Sequence, residues 1–214
     1  MREYQVRIYE GARGEIPRAY SASSKLTDPA AYHSATMAED VRALLDHLSI
    51  ERADVMGYSM GARIAAFLAV DHPQRVRAAV FGGLGIHLVE GVGQSERIAE
   101  AMEAPSLAAV RDPTGRVFRS FTEQTKSDLK ALAACMRGSR QTLSREQVAG
   151  IRVPVLVAVG TNDNVAGSAQ DMAALIPGAQ ALDIPSAITC WRSAIKCSKR
   201  ACSTSLTNAT EPGA

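Results

Sequence analysis

The sequence of 214 residues has few aromatic side chains and no dominant charge. Aromatic residues make up 5% of it, and 24 basic against 22 acidic residues leave a net charge of +2. So small a charge gives no reason to expect a nucleic acid or an anionic membrane as a partner. No apolar run approaches the roughly 20 residues of a membrane-spanning helix, and the N-terminus lacks the apolar region of a signal peptide. We therefore expect a soluble, cytoplasmic protein with a single domain.

Cysteine is scarce and unevenly placed. Cys135 lies in the middle of the chain, whereas Cys190, Cys197 and Cys202 all fall near its end. Their spacings contain no C-x-x-C pair, and no histidine lies near them. We therefore expect reduced thiols, no metal site and no metal or organic cofactor.

From about residue 36 to 185, helix and strand patterns alternate, which is typical of a parallel sheet with crossover helices. Thr36 and Glu39 have the spacing of a capping box before an amphipathic helix. The apolar stripe of that helix consists of Val41, Leu44, Leu45 and Leu48. A second, uniformly apolar helix is predicted over residues 62–70. Strands are predicted over residues 53–56, 76–81, 153–159 and 179–184, with residues 5–9 as a candidate edge strand.

Residues 84–150 contain helical patterns but no strand pattern, so they are predicted to form a helical insertion between two strands. After Pro185 the composition changes to a Ser- and Thr-rich tail with four basic residues against Glu211. The expected organisation is one domain with a core of about residues 16–83 and 151–185, the insertion over 84–150, and a disordered tail over 186–214.

The run Gly57-Tyr58-Ser59-Met60-Gly61 matches G-x-S-x-G and lies between a predicted strand and a predicted helix. In this context the serine occupies a sharp, strained turn, and the two glycines give the backbone the room that it needs. The turn raises the Ser59 hydroxyl above the sheet, and the N–H of Met60 lies at the helix N-terminus, where it would stabilise an oxyanion. The structural alternative is a glycine-rich turn that only packs a helix closely against a sheet.

Residues 32–83, which contain this motif, resemble the central part of many bacterial α/β-hydrolases, and a weaker resemblance extends over residues 16–185. The resemblance implies a doubly wound, mostly parallel sheet with the active site above it and a helical cap, residues 84–150, that shapes an acyl pocket. Asp163, after the strand 153–159, matches the family's acid, which would orient a histidine. A solvated turn aspartate is the alternative. The implied activity is hydrolysis of a small-molecule ester, lactone or related acyl substrate through Ser59.

Two parts of the family's machinery have no counterpart in this sequence. The family's histidine follows the last of these strands, whereas here no histidine lies beyond His87, which is the one residue considered as a substitute base. The His-Gly pair of the family's oxyanion loop is also absent. Loss of one oxyanion donor typically lowers the rate by about 10²–10³. We therefore expect a chain that is truncated at its N-terminus and impaired as a catalyst.

The tail offers an explanation for the missing histidine. In the frame shifted back by one base, the codons of residues 187–191 permit Arg or Gly, Asp, His, Met or Leu, and Leu. Such a run resembles the family's histidine loop, so a one-base frameshift from about Ser186 is our hypothesis for the ending. Resequencing the end of the gene tests it.

Other function classes stay open at this stage. The chain is a serine hydrolase in the first interpretation, and a catalytically inactive binding module or damaged gene product in the second. A product that scarcely folds is a further possibility, because a sheet without its edge strands exposes unpaired backbone. Cofactor-free haloperoxidase-like relatives share the GYSMG motif, so perhydrolase chemistry is an alternative reaction. No feature of the sequence indicates an oligomeric state.

Overall fold

A computed structural model describes residues 5–8, 26–93 and 95–185. In this part of the chain the strands form one five-stranded sheet, and every neighbouring pair is parallel. The strands lie in sequence order: β1 (Gln5–Ile8), β2 (Ala53–Tyr58), β3 (Val76–Gly82), β4 (Val155–Gly160) and β5 (Gln180–Ile184). The predicted α/β class with a parallel sheet is confirmed, and the candidate strand near the N-terminus occupies one edge of the sheet.

Helices connect these strands. The described helices are α1 (Ser34–His47), α2 (Met60–Asp71), α3 (His87–Glu90), α4 (Ser95–Glu103), α5 (Pro113–Thr125), α6 (Leu129–Gly138), α7 (Arg145–Ala149) and α8 (Ala169–Leu175). Helices α3 to α7 all lie between β3 and β4, where the described residues contain no strand. Within the described ranges, none of the helices is both long and apolar enough to cross a membrane.

The chain divides into two compact units. Among the described residues, the sheet unit consists of 5–8, 38–90 and 142–185, and the helical unit consists of 26–37, 91–93 and 95–141. In the sheet unit, β3 and β4 are buried along almost their whole length, as central parallel strands are when helices cover the sheet. Helix α2 is buried from Gly61 to Ala69, which agrees with the apolar helix predicted there.

Helix α1 differs from its sequence pattern. The predicted capping box was wrong, because α1 begins at Ser34 and Thr36 therefore lies inside its first turn. The N–H of Ser34 is satisfied instead by the side-chain oxygen of Gln141 at 2.8 Å. Part of the predicted apolar stripe is also exposed, with Leu44 at 47% and Leu48 at 51%, whereas Leu45 is fully buried.

The described part of the helical unit has its own small core and contains a buried arginine. Its apolar cluster joins α4 and α6 and consists of Ile98, Ala99, Met102, Ala133 and Met136, with Phe118 and Leu129 packed against it. Arg119 of α5 is 5% exposed. Its guanidinium donates to the carbonyl oxygens of Ala101, Met102 and Ala104 at 3.0, 2.9 and 2.8 Å. These carbonyls lie at the C-terminus of α4, so a side chain from α5 supplies the donors that the end of that helix needs.

Candidate active site

Ser59 occupies a strained turn between β2 and α2. Its backbone angles are φ 53° and ψ −115°, outside the helical and extended regions that non-glycine residues favour. Its N–H donates to the carbonyl oxygen of Gly82 on β3 at 2.8 Å, and its own carbonyl accepts from Ala62 and Arg63 in the first turn of α2. The hydroxyl makes no capping hydrogen bond with this helix. The Ser59 side chain, which the motif marks as the nucleophile, is half-buried and does not cap the helix.

The first glycine of the motif, Gly57, is required by contact between the two arms of the turn. A Cβ atom on Gly57 would lie 2.0 Å from the carbonyl oxygen of Gly61 and 2.5 Å from the amide nitrogen of Ala62. Both are backbone atoms, so no side-chain movement relieves the overlap. The start of α2 thus passes directly over the end of β2, as the strand–turn–helix context predicted.

The two variable positions of the motif have separate places. Met60 is the first residue of α2, so its amide lies at the positive end of that helix. Tyr58 ends β2, and its ring lies against Gly82 and Gly83 at the end of β3. A Cβ on Gly83 would be 2.8 Å from Cε2 of Tyr58, and Gly83 has a φ of +61°. The strand predicted over residues 76–81 ends just before this glycine pair, and no sequence pattern indicated the contact with Tyr58, because a contact between different strands leaves no local pattern.

Asp163 lies in the turn after β4, at the same edge of the sheet as Ser59. Its Oδ1 atom accepts hydrogen bonds from the N–H groups of Val165 and Ala166, both at 2.9 Å. Its Oδ2 atom is buried and has no hydrogen-bond partner among the residues that the structure describes. A buried carboxylate oxygen without a partner costs free energy, and a donor N–H placed against it would remove that cost. This carboxylate has the unused acceptor that a histidine-orienting acid needs.

His87 begins α3 and lies beside the loop that carries Asp163. Its Nδ1 atom is 2.8 Å from the carbonyl oxygen of Val165. Because a carbonyl oxygen only accepts, Nδ1 is the donor in this contact. His87 is the candidate substitute base from the sequence. The structure places it next to the loop that carries Asp163, in contact with Val165 and Gly167.

The residues after Pro185 lie outside the described part of the chain. This holds for the predicted tail disorder, the frameshift hypothesis and the three cysteines Cys190, Cys197 and Cys202. Cys135 is described, and its thiol is buried in the helical unit.

Comparisons with known proteins agree with this architecture. A model of the family described as alpha/beta hydrolase fold matches residues 16–90. The 3-oxoadipate enol-lactonase 2 of Acinetobacter baylyi is 27% identical over 161 residues, which cover 69% of this chain and 60% of the lactonase. The chain therefore spans less than two thirds of the length of that relative.

Solved structures give the same result at the level of the fold. A hydrolase from Pseudomonas aeruginosa has a TM-score of 0.59 at 25% identity, with 83% of this chain and 70% of that chain covered. A candidate non-heme bromoperoxidase from Mycobacterium tuberculosis has a TM-score of 0.64 at 21% identity, with coverage of 98% and 92%, which is a likeness of fold alone. The parallel sheet, the strained serine turn and these matches agree that the chain has the α/β-hydrolase fold.

Proposed function

We propose that the chain is a serine hydrolase of small esters, lactones or related acyl compounds, with Ser59 as the nucleophile. The observation that carries this proposal is the conformation of Ser59, held at a φ of 53° by the contact between Gly57 and Gly61. Backbone strain of this kind costs about 1–3 kcal/mol and is typical of functional sites. The enol-lactonase relative supports an acyl substrate, and its activity comes to this chain only as part of the proposal.

The reaction would proceed through an acyl-enzyme. The Ser59 oxygen attacks the acyl carbon and releases its proton to a base, while the carbonyl oxygen takes up the negative charge. The N–H of Met60, at the start of α2, would stabilise that charge. The tetrahedral intermediate expels the alcohol, which takes a proton as it leaves. Water then attacks the acyl-enzyme in the same way, releases the carboxylic acid and returns the proton to Ser59.

Removal of the proton from the Ser59 hydroxyl would be the slow step in this chain. Asp163 would orient an imidazole through its free Oδ2 atom, but no histidine follows β5 in the sequence. Without that base, the serine proton passes to solvent, and an unassisted hydroxyl is a poor nucleophile. We therefore propose slow turnover that depends on Ser59.

The test is hydrolysis of p-nitrophenyl acetate and butyrate by the purified chain and by Ser59→Ala, with fluorophosphonate labelling of the same proteins. Ser106→Ala is the matched control, because Ser106 is an exposed serine whose side chain makes no capping hydrogen bond. We expect Ser59→Ala to abolish turnover and labelling and Ser106→Ala to leave both unchanged. Equal turnover by wild type and Ser59→Ala, both folded, would reject the proposal in favour of a catalytically inactive member of the superfamily.

A further inference from the structure

A row of hydrogen bonds joins the loop after β3 to the loop after β4. The N–H groups of Gly85 and His87 donate to the carbonyl of Ala166 at 2.9 and 3.3 Å, and the N–H of Ile86 donates to the carbonyl of Ser168 at 3.0 Å. A Cβ on Gly85 would lie 2.5 Å from the carbonyl oxygens of Gly167 and Ser168. The two loops are thus in direct backbone contact at the edge of the sheet that carries Asp163.

One peptide group in this contact connects an imidazole to the carboxylate of Asp163. The carbonyl oxygen of Val165 accepts from Nδ1 of His87 at 2.8 Å, and the N–H of Ala166, in the same peptide group, donates to Oδ1 of Asp163 at 2.9 Å. Hydrogen bonds on the two sides of a peptide group polarise one another, so the imidazole strengthens the bond to the carboxylate. His87 and Val165 are 78 residues apart in sequence, which explains why no local motif indicates the pair.

The imidazole is held in this position by packing. A Cβ on Gly167 would lie 3.0 Å from both Cγ and Cδ2 of His87, so the ring rests against the glycine backbone. Gly167 has a φ of +74°, a conformation that favours glycine. The ring therefore has a fixed site on the acid loop and a fixed donor atom, Nδ1.

We propose that His87 is a positioning residue for Asp163. Through the Val165–Ala166 peptide it keeps Oδ1 engaged with the backbone, so that Oδ2 is the oxygen left to accept from a proton-carrying ring. The functional part of this inference rests on the proposed role of Asp163 in hydrolysis. The hydrogen-bond relay itself does not, because it is defined by the contacts of four described residues.

The matched variants are His87→Asn, His87→Gln and His87→Ala. The amide nitrogen of Asn takes a position close to Nδ1, the longer Gln moves the donor away, and Ala removes it. The first measurement is the hydrogen-exchange rate of the Ala166 amide, by NMR. We expect the Ala166 amide to exchange about five- to tenfold faster in His87→Ala and His87→Gln, and at close to the wild-type rate in His87→Asn. A factor of this size corresponds to the loss of one net hydrogen bond.

The second measurement is kcat and KM for p-nitrophenyl acetate in the presence of added imidazole, which supplies the ring that Asp163 would orient, in the same variants, each also made in an Asp163→Asn background. We expect kcat to fall about five- to tenfold in His87→Ala and His87→Gln, KM to change little, and His87→Asn to restore the rate. In the Asp163→Asn background, the His87 substitutions should have no further effect on kcat.

Each contrary result has a separate meaning. Unchanged exchange of the Ala166 amide in His87→Ala overturns the relay. A loss of kcat in His87→Asn as large as in His87→Ala also overturns the positioning role, because Asn keeps the donor and lacks only the Nε2 base. If wild type shows no turnover that depends on Ser59, the proposed function fails, and the exchange rates still decide whether the relay exists.

Discussion

The N–H of Ser59 donates to the carbonyl oxygen of Gly82 at 2.8 Å, one residue beyond the last residue of β2. This bond continues the β2–β3 ladder into the turn and holds Ser59 at a φ that a non-glycine residue rarely adopts. A strained residue persists only where its surroundings over-determine it. Here the ladder bond holds one side of the turn, and the contact between Gly57 and Gly61 holds the other.

Gly57→Ala should be among the most damaging single substitutions in the sheet unit. Its Cβ would lie 2.0 Å from the backbone oxygen of Gly61, so α2 would have to move away from β2. We expect a loss of about 3 kcal/mol in the free energy of unfolding, at the upper end for overpacking. Gly93→Ala is the control, because a Cβ there meets nothing within 4 Å, and its effect should stay within about 0.5 kcal/mol. Urea unfolding measures both, and equal midpoints would contradict the steric account of the turn.

Added imidazole should accelerate hydrolysis by the wild-type chain. The buried Oδ2 atom of Asp163 has no partner among the described residues, so an imidazole molecule that enters the loop around it would meet an unused acceptor for its N–H. A positioned base typically raises the rate about 10²–10⁴-fold. A freely diffusing imidazole should restore part of this effect, and we expect it to raise the rate about tenfold. The measurement is p-nitrophenyl acetate hydrolysis against imidazole concentration, with Ser59→Ala giving the background rate of imidazole itself. Asp163→Asn should lose the acceleration, and parallel curves for all three proteins would exclude a base site at Asp163.

Arg119→Ala should destabilise the helical unit. The substitution removes the donor that serves three carbonyl oxygens at the end of α4, at a position only 5% exposed. Unsatisfied buried acceptors cost about 1–3 kcal/mol each, and partial access to water reduces the sum, so we expect a loss of about 3 kcal/mol. Arg97→Ala, an exposed arginine on α4, should change stability by less than about 0.5 kcal/mol. Thermal unfolding followed by circular dichroism compares the two, and a similar shift in both would refute the capping role.

The ion pairs of Arg137 should make the stability of the helical unit depend on pH. Hydrogen bonds from Arg137 are the main reason that the pKa values of Glu96 and Glu103 lie below their ordinary value of 4.5. Carboxylates with lowered folded pKa values add stability that is complete above pH 4.5 and is lost as the pH falls through the lowered values. The Tm difference between wild type and Arg137→Gln should therefore shrink from about pH 6 to about pH 2.

The control for this experiment removes a similar charge from the same helix. Lys130 is exposed on α6, so Lys130→Gln should lower Tm little and show no comparable loss between these pH values. About 1 M salt should reduce the effect of Arg137→Gln at neutral pH, because both glutamates are largely exposed. A Tm difference independent of pH would mean that Arg137 stabilises the unit through packing.

The sequence predicted those parts of the fold that local patterns determine. The strands β2 to β5 and helix α2 lie close to their predicted positions, because buried parallel strands and buried helices are runs of apolar residues with clear boundaries. The serine turn was predicted for a similar reason: the glycine spacing that it needs falls within five consecutive residues, and its strand and helix are adjacent in sequence.

What the sequence missed depends on contacts between distant residues. Helix α1 begins at Ser34 rather than at a Thr36 cap because the Gln141 side chain, 107 residues away, satisfies its amide. An arginine is expected at the surface, and Arg119 is buried because three carbonyls of another helix surround it. The contact of His87 with the Asp163 loop is of the same kind, since neither segment carries a motif for the other.

Because of the close approach of Gly57 to Gly61, folding and catalysis place separate constraints on residues 57–61. Replacing Gly57 damages folding whether or not the serine reacts, whereas replacing Ser59 by another small residue spares the backbone contact. In a lineage that loses catalysis, Gly57 should therefore be retained longer than the serine. Relatives of this chain that keep this glycine but have another residue in place of the serine would have lost the chemistry while the geometry of the turn still constrains them.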